Sequence, residues 1–367
     1  MSFRLLPPGI IGIVGGGQLG RMMALSAIAT GYKIAVLDPD PTCPCASLAD
    51  IFIAANYEDE KAFQRLVDVC DVVTYEFENA DVRLIKKFGA KFPQGSFALS
   101  IAQHRRLEKD FAQQNHVPCP KYVSITSQVE LESLTDFPIM LKTCRFGYDG
   151  KGQWLIRTKE QLTIHPIKFP GEYIAESYVD FEKEISVVCC RFKDGITVYE
   201  PFENRHVNGI LCESIHPAIL DETIRQQAVE ATKRLVDALD YIGVLAVEYF
   251  VTQDGILFNE MAPRPHNSAH GTIEGCEYSQ FDLHIAAITG SCKIASKRYR
   301  DTMMINVLDQ DMDTTLDKWK TDACESIHFH SYDKSRRRIN RKMGHITICA
   351  DSREELYRMT EPWRKPE

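Results

Sequence analysis

The chain has 367 residues, of which 44% are apolar and 26% charged, and a formal net charge of −8. That length exceeds one compact core and predicts two or three conventionally folded domains. The acidic balance argues against a general nucleic-acid or membrane binder, so any anionic ligand has to be met by a local basic patch. The N-terminus lacks the long apolar run of a signal peptide and no stretch approaches a membrane span, so a cytoplasmic protein is expected. The 12 cysteines are scattered. Only Cys43-Pro-Cys45 is close-set, without the second pair or the neighbouring histidines that zinc requires.

Residues 9–20, Gly-Ile-Ile-Gly-Ile-Val-Gly-Gly-Gly-Gln-Leu-Gly, predict a strand entering a glycine turn, and Arg21–Ile28 continues as a helix. A second strand ends at Asp38, and a third, Asp71–Tyr75, follows a helical stretch from Asp59 to Cys70. Alternating strands and helices imply a parallel, doubly wound sheet. Gly15-x-Gly17-x-x-Gly20 with Asp38 satisfies the dinucleotide fingerprint, so a nicotinamide-dependent oxidoreductase is one reading. Any tight strand-to-helix turn facing an anion asks for the same glycines. Ser100–Asn115 reads as a polar helix, and the prolines of Val117-Pro-Cys-Pro120 mark a domain boundary.

Lys142-Thr-Cys-Arg-Phe-Gly-Tyr-Asp-Gly-Lys-Gly-Gln153 lies between two apolar runs that read as strands. Glycine N–H groups closing over phosphate oxygens, with lysines supplying charge, is one use of such a flap. A solvated hairpin tip is the other. Strands Glu172–Glu176 and Glu184–Cys190 follow, then an amphipathic helix, Asp221–Asp240, with Ile224, Ala228, Thr232, Leu235, Val236 and Leu239 on one stripe.

Val244–Val251 and Ile256–Met261 flank Gln253-Asp254-Gly255, a hairpin signal. A three-residue loop would oppose Thr252 to Ile256 and bring Glu248 directly opposite Glu260. Two carboxylates about 5 Å apart on apolar strands repel each other and lose hydration. A cation between them answers this, and hard oxygens with Asn259 nearby suit Mg²⁺. Placement on a solvent face beside lysines is the alternative, and a loop of another length would break the alignment. Downstream, Ala262–His270 is a proline-stiffened loop dense in donors. Tyr332–His345 is a basic run that reads as a phosphate grip or as a solvated loop.

Together Gly15–Met22, Asp38–Pro41, Thr74–Asn79, Gly147–Gln153, Asn259–Arg264, His266-Asn-Ser268 and Arg341–His345 stand in the order found in one family. From about residue 9 to about residue 350 the chain closely resembles the 5-(carboxyamino)imidazole ribonucleotide synthases, ATP-grasp ligases of purine synthesis. The resemblance implies an α/β and α+β architecture. A Rossmann-like pre-ATP-grasp domain that binds no nicotinamide (1–98) precedes an ATP-grasp domain (99–300) and a small β-rich C-terminal domain (301–367). It implies that ATP phosphorylates bicarbonate to carboxyphosphate, which carboxylates aminoimidazole ribonucleotide, with no biotin, in a homodimer.

By the same resemblance Arg105 and Lys142 contact ATP phosphates, and Gly147, Tyr148, Asp149, Gly150, Lys151, Gly152 and Gln153 cover them. Glu176, Ser177, Tyr178 and Val179 read adenine, Glu184 holds the ribose and His206 adds a nucleotide contact. Glu248 and Glu260 hold Mg²⁺, with Asn259 beside them. Glu76, Tyr148, Asp149, Lys151, Arg264, His266, Asn267, Ser268, Lys334 and Arg341 bind the ribonucleotide. Lys142, Asp149, Arg264 and His270 carry the catalytic expectations, Asp149 or His270 orienting amine or bicarbonate. Two departures from the family pattern stand out. Ala269 and Gly271 flank His270 where glycine and an aromatic residue are usual, and Ser-Arg-Arg-Arg-Ile-Asn replaces an Arg-Pro-Gly turn before Arg341, leaving open which arginine grips phosphate. A related formate-using transformylase is a rival, against which Tyr148-Asp149 and His266-Asn-Ser268 speak. A non-catalytic binding protein would have no need of apposed glutamates.

Overall fold

The computed structural model describes residues 4–147, 150–165 and 167–364. Short apolar runs build a parallel four-stranded sheet from β1 (Ile10–Val14), β2 (Lys33–Asp38), β3 (Ile51–Ala54) and β4 (Val72–Tyr75), in the order β3-β2-β1-β4. The helix Gln18–Ala29 buries Leu19, Met23 and Ala27 against Ile11, Ile13 and Val36, and the helix Glu60–Val69 buries Phe63 and Leu66 against Val14 and Leu37. Asp59 starts the second helix, its carboxylate accepting from the N–H groups of Lys61 and Ala62. Strand β3 was not expected, because four residues, Ile-Phe-Ile-Ala, are too few to display a period.

The glycine turn between β1 and the first helix is already satisfied from within. The Glu76 carboxylate, just beyond β4, accepts from the N–H groups of Gly17 and of Gly20, the latter at 2.7 Å. Asp38 accepts from the Gly16 N–H and the Tyr57 hydroxyl, each at 2.7 Å. The helix N-terminus therefore holds an internal anion where the fingerprint would hold a pyrophosphate. The aspartate meant for a ribose is likewise engaged, so the nicotinamide reading loses both of its supports.

Residues 100–115 form two helices rather than one, Phe97–Ala102 and Arg105–Gln114, separated by an extended His104. The break starts the second helix at Arg105 and points that side chain into the molecule. A second, antiparallel sheet contains β5 (Tyr122–Ile125), β6 (Ile139–Thr143), β7 (Gln153–Ile156) and β8 (Tyr173–Ser177) in the order β5-β8-β6-β7. The flap connects β6 to β7, with Lys142 opposite Gln153.

The largest sheet comprises β9 (Lys183–Phe192), β10 (Gly195–Val198), β11 (Phe202–Val207), β12 (Ile210–His216), β13 (Gly243–Thr252), β14 (Gly255–Ala262), β15 (Asp301–Leu308), β16 (Ile327–Ser331) and β17 (Lys342–Ala350). Its order among the described residues is β14-β13-β9-β11-β12-β15-β17-β16, with β10 beside β9. The helix Glu222–Ala238 packs Ala228, Leu235 and Val236 against Val187 and Leu245. On the other face Leu283 and Ala287 of the helix Gln280–Ile288 meet Val188 and Val244. The C-terminal strands do not form a sheet of their own. Strand β15 pairs with β12, Glu213 opposite Ile305, and covers what would otherwise be an open strand edge.

The β13–β14 hairpin departs from expectation at its tip and meets it at the glutamates. Thr252 opposes Gly255, so the turn has two residues. A one-residue bulge at Asn259, opposite the step from Glu248 to Tyr249, then shifts the register, and Glu248 faces Glu260 after all.

Replacing Glu76 by Ala leaves two amide N–H groups of the glycine turn without an acceptor. A loss of about 1–3 kcal/mol is expected, measurable by denaturant unfolding, with no gain of NADH binding by fluorescence titration.

Candidate active site

Three cavities run into one another along the large sheet. The first, about 190 Å³, lies between the two antiparallel sheets and is lined by Met140, Lys142, Glu176–Val179, Phe181, Glu184, His206, Phe250 and Asn259, with Gly150 and Gln153 above. Phe181 and Phe250 stack on one another, ring centroids 4.8 Å apart, beside the segment after β8, and together form an apolar wall of the cavity. Glu184 and His206 meet at 2.8 Å. That hydrogen bond and the charges of Glu248 and Glu184 raise the His206 pKa, although burial opposes the imidazolium most strongly.

Lys142 and Glu176 are both buried. The Lys142 ammonium donates to Glu176 at 3.0 Å and to the Asn259 side-chain oxygen at 3.3 Å, while Lys109 approaches the same carboxylate at 3.4 Å. Burial pulls the Lys142 pKa down, and the Glu176 charge resists it. Burial raises Glu176, but the lysines outweigh it and hold that carboxyl below its ordinary value. Glu176 thus fixes the Lys142 ammonium in the cavity wall, which its neighbours 177–179 continue.

The second cavity, about 420 Å³, is lined by residues of all three sheets' loops, among them Gln18, Glu76, Glu78, Gly147, Arg264, His266, Asn267 and Lys342. Arg105, Glu248 and Glu260 line both this cavity and the first. Arg105 donates to Glu260 at 2.7 Å. Burial raises the Glu260 pKa, yet the Arg105 charge and hydrogen bond win and keep it ionised. Glu248 has no such partner at close range. Burial and the charge of Glu260 push it upward, and its nearest cation-forming neighbour, His266, stands 3.6 Å away. Burial and the charge of Arg264 hold His266 down at about 3, so it is neutral. Two opposed hard-oxygen groups, one of them short of positive charge, fit a Mg²⁺ ion that also binds phosphate oxygens.

The third cavity, about 590 Å³, is basic: Lys151, Lys334, Arg338, Arg341 and Lys342 line it with Asn208 and Gln18. Gln18 and Lys342 join it to the second cavity. Arg337 turns away to Asp309 and Asp313. Among the run's arginines, Arg338 and Arg341 are the ones that face the cavity.

Several expected residues stand behind the walls. His270 is fully buried and lines none of the three cavities. Its ring packs against Phe281 and His345 at 5.7 and 4.7 Å, and burial holds its pKa well below the ordinary value. Ser268 is also buried, 2.7 Å from the Ser186 hydroxyl and 2.9 Å from His266 Nδ1, so it steadies His266 rather than facing the cavity. Asn267 reaches the second cavity but exchanges side-chain hydrogen bonds with Asn306. Glu76 lines the cavity with both oxygens committed to the glycine turn. Gly152, at φ +71, packs beneath Thr143 and serves the bend of the flap. Tyr148 and Asp149 lie outside the described residues.

Other wall residues gave little or no signal in the sequence. Glu78 pairs with Arg264 and sits in a motif in which Glu76 drew notice. Lys342 follows Arg341 directly. Glu108, which accepts from the Met261 N–H at 3.0 Å, and the stacked Phe181–Phe250 pair have no local signature.

Family models match this chain over residues 9–103 (ribonucleotide synthetase preATP-grasp domain), 110–281 (ATP-grasp domain) and 302–359 (phosphoribosylaminoimidazole carboxylase C-terminal domain). The N5-carboxyaminoimidazole ribonucleotide synthase of Bacillus subtilis is 40% identical over 373 residues, covering 99% of this chain and 98% of that protein. The chain belongs to the N5-carboxyaminoimidazole ribonucleotide synthase family. A Staphylococcus aureus N5-carboxyaminoimidazole synthetase complexed with ADP superposes with a TM-score of 0.92 at 37% identity, covering 98% of each chain. The Aspergillus clavatus synthase in complex with ADP and 5-aminoimidazole ribonucleotide gives 0.88 at 26% identity, covering 96% of this chain and 97% of that one.

As a member of that family the chain is an ATP-grasp ligase that binds ATP. Lys142→Met removes one of two ammonium groups held by Glu176. Calorimetric titration should show ATP-analogue affinity weakened at least about tenfold, since the second lysine stays behind Glu176.

Proposed function

We propose that the chain carboxylates 5-aminoimidazole ribonucleotide with bicarbonate, consuming ATP and releasing ADP and phosphate through carboxyphosphate. One observation carries this reading: Arg105, Glu248 and Glu260 form the wall shared by the nucleotide pocket and the second cavity. A phosphoryl group leaving a nucleotide in the first cavity meets an acceptor in the second only at that wall.

The chain's own residues divide the work. Lys142 and Arg105 offset charge spreading over the transferred phosphoryl group, and the stacked Phe181–Phe250 pair offers the base an apolar wall. Glu248 and Glu260 would hold Mg²⁺, and the chemistry a bound ion supplies is neutralisation and alignment of phosphate oxygens. Arg264, oriented by Glu78, offers a fork to bicarbonate or to the acyl phosphate. Lys334, Arg338, Arg341 and Lys342 give the ribonucleotide phosphate a basic seat. Its amine then points back toward Arg264 through the opening at Gln18 and Lys342. Tyr148, Asp149 and Lys151 of the flap belong to the substrate side in the same reading. A cytoplasmic homodimer and a division at residues 98 and 300 belong to the same reading and rest on the resemblance alone.

The test is ADP release with bicarbonate, with and without the ribonucleotide. Ribonucleotide-dependent turnover is expected, and its absence refutes the substrate assignment. Glu260→Gln should lower kcat by at least about a thousandfold while circular dichroism stays unchanged. Arg338→Ala should raise the ribonucleotide KM at least about tenfold, whereas Arg337→Ala, tied to Asp309 and Asp313, should leave it within about twofold.

A further inference from the structure

The turn between β11 and β12 is two residues long, Asn208 and Gly209, with Val207 opposite Ile210. Both turn residues have positive φ, +52 and +76, as a tight hairpin of this twist demands. The tip does not end in solvent. Gly209 lines the nucleotide pocket and Asn208 lines the basic cavity, and the flap's Gly150 lines both. Flap and hairpin meet there backbone to backbone. A Cβ on Gly150 would stand 2.7 Å from the Asn208 carbonyl oxygen, and one on Gly209 would overlap the Gly150 Cα and reach within 3.2 Å of the Gln153 side-chain amide. No side chain fits between the two glycines.

We propose that the Asn208–Gly209 turn is the surface on which the flap lands, and that Gly209 is a positioning residue for coupled turnover. The seam divides the space over the nucleotide from the basic cavity, so its closure keeps water from entering between them. The role in coupling rests on the acyl-phosphate reading above, because a short-lived intermediate is lost to hydrolysis when its chamber leaks. The landing itself rests on geometry alone.

The test uses Gly209→Asn and Gly209→Ala in the full chain. Asparagine tolerates positive φ and preserves the turn, whereas alanine strains it, yet both place a Cβ against Gly150. Trypsin can cut the flap after Arg145 or Lys151. A non-hydrolysable ATP analogue with Mg²⁺ is expected to slow that cut in the wild type by about tenfold and to lose this protection in both variants. The ratio of ADP released to carboxylated product is expected to rise at least about threefold in both variants. Wild-type protection and stoichiometry in Gly209→Asn overturn the proposal, and so does a defect confined to Gly209→Ala, which would reduce the glycine to a turn requirement. If the wild type shows no ribonucleotide-dependent ADP release, the substrate reading fails, while the proteolysis comparison still decides the landing.

Discussion

Two carboxylates brought face to face in a buried hairpin organise this molecule. Glu248 and Glu260 oppose each other on neighbouring strands, where hydration is poor and repulsion is weakly screened. Such a pair persists if cations surround it or if one carboxyl keeps its proton, and burial with the Glu260 charge pushes Glu248 upward. Arg105 reaches one carboxylate, and it does so because the chain breaks its helix at His104 and starts a new one at that residue. Lys142 arrives from another sheet and is held off by Glu176 and Asn259, close enough to share the field. What remains unneutralised, chiefly at Glu248, is negative charge that a metal ion is suited to offset.

The walls around that pair come from parts of the chain that are far apart in sequence. The glycine turn contributes Gln18, the segment after β4 contributes Glu76 and Glu78, and the loop after β14 contributes Arg264, His266 and Asn267. Strand β17 closes the far side with Lys342 because the C-terminal strands extend the central sheet instead of folding apart. Continuity of that sheet gives the basic cavity a fixed distance from the nucleotide pocket. Among the described residues of the flap, Gly147 and Gly152 lie close against Thr143 and Gly150 against the β11–β12 turn.

Motifs chosen for one chemistry can serve another when the fold fills them. The glycine fingerprint here ends in a helix N-terminus whose donors are taken by Glu76, and Asp38 is spent on Gly16 and Tyr57. The amide donors that hold a pyrophosphate in a dinucleotide enzyme instead lock the first sheet to the segment that carries Glu78. His270 is a similar case: His266 and Asn267 line the cavity, but the short helical turn at Asn267–Ala269 carries His270 into the core against Phe281 and His345.

The sequence by itself determined the parallel opening sheet, the flap between two strands and the long amphipathic helix, because each depends on a period or spacing that adjacent residues express. It also carried the family, since motifs in a set order survive whatever the loops do. The facing glutamates were reached through a three-residue turn, whereas the molecule uses a two-residue turn corrected by a bulge at Asn259. A bulge has no period and is decided by what the strands pack against. Tertiary structure alone decided which donors remained available. Glu76, Ser268 and His270 look like ligands by composition, yet their polar atoms are satisfied or walled in by partners remote in the chain. It alone also assembled the stacked Phe181–Phe250 pair, the Glu78–Arg264 pair and the choice of Arg338 over Arg337, because each arises where separate strands or loops meet and leaves no trace in any one of them.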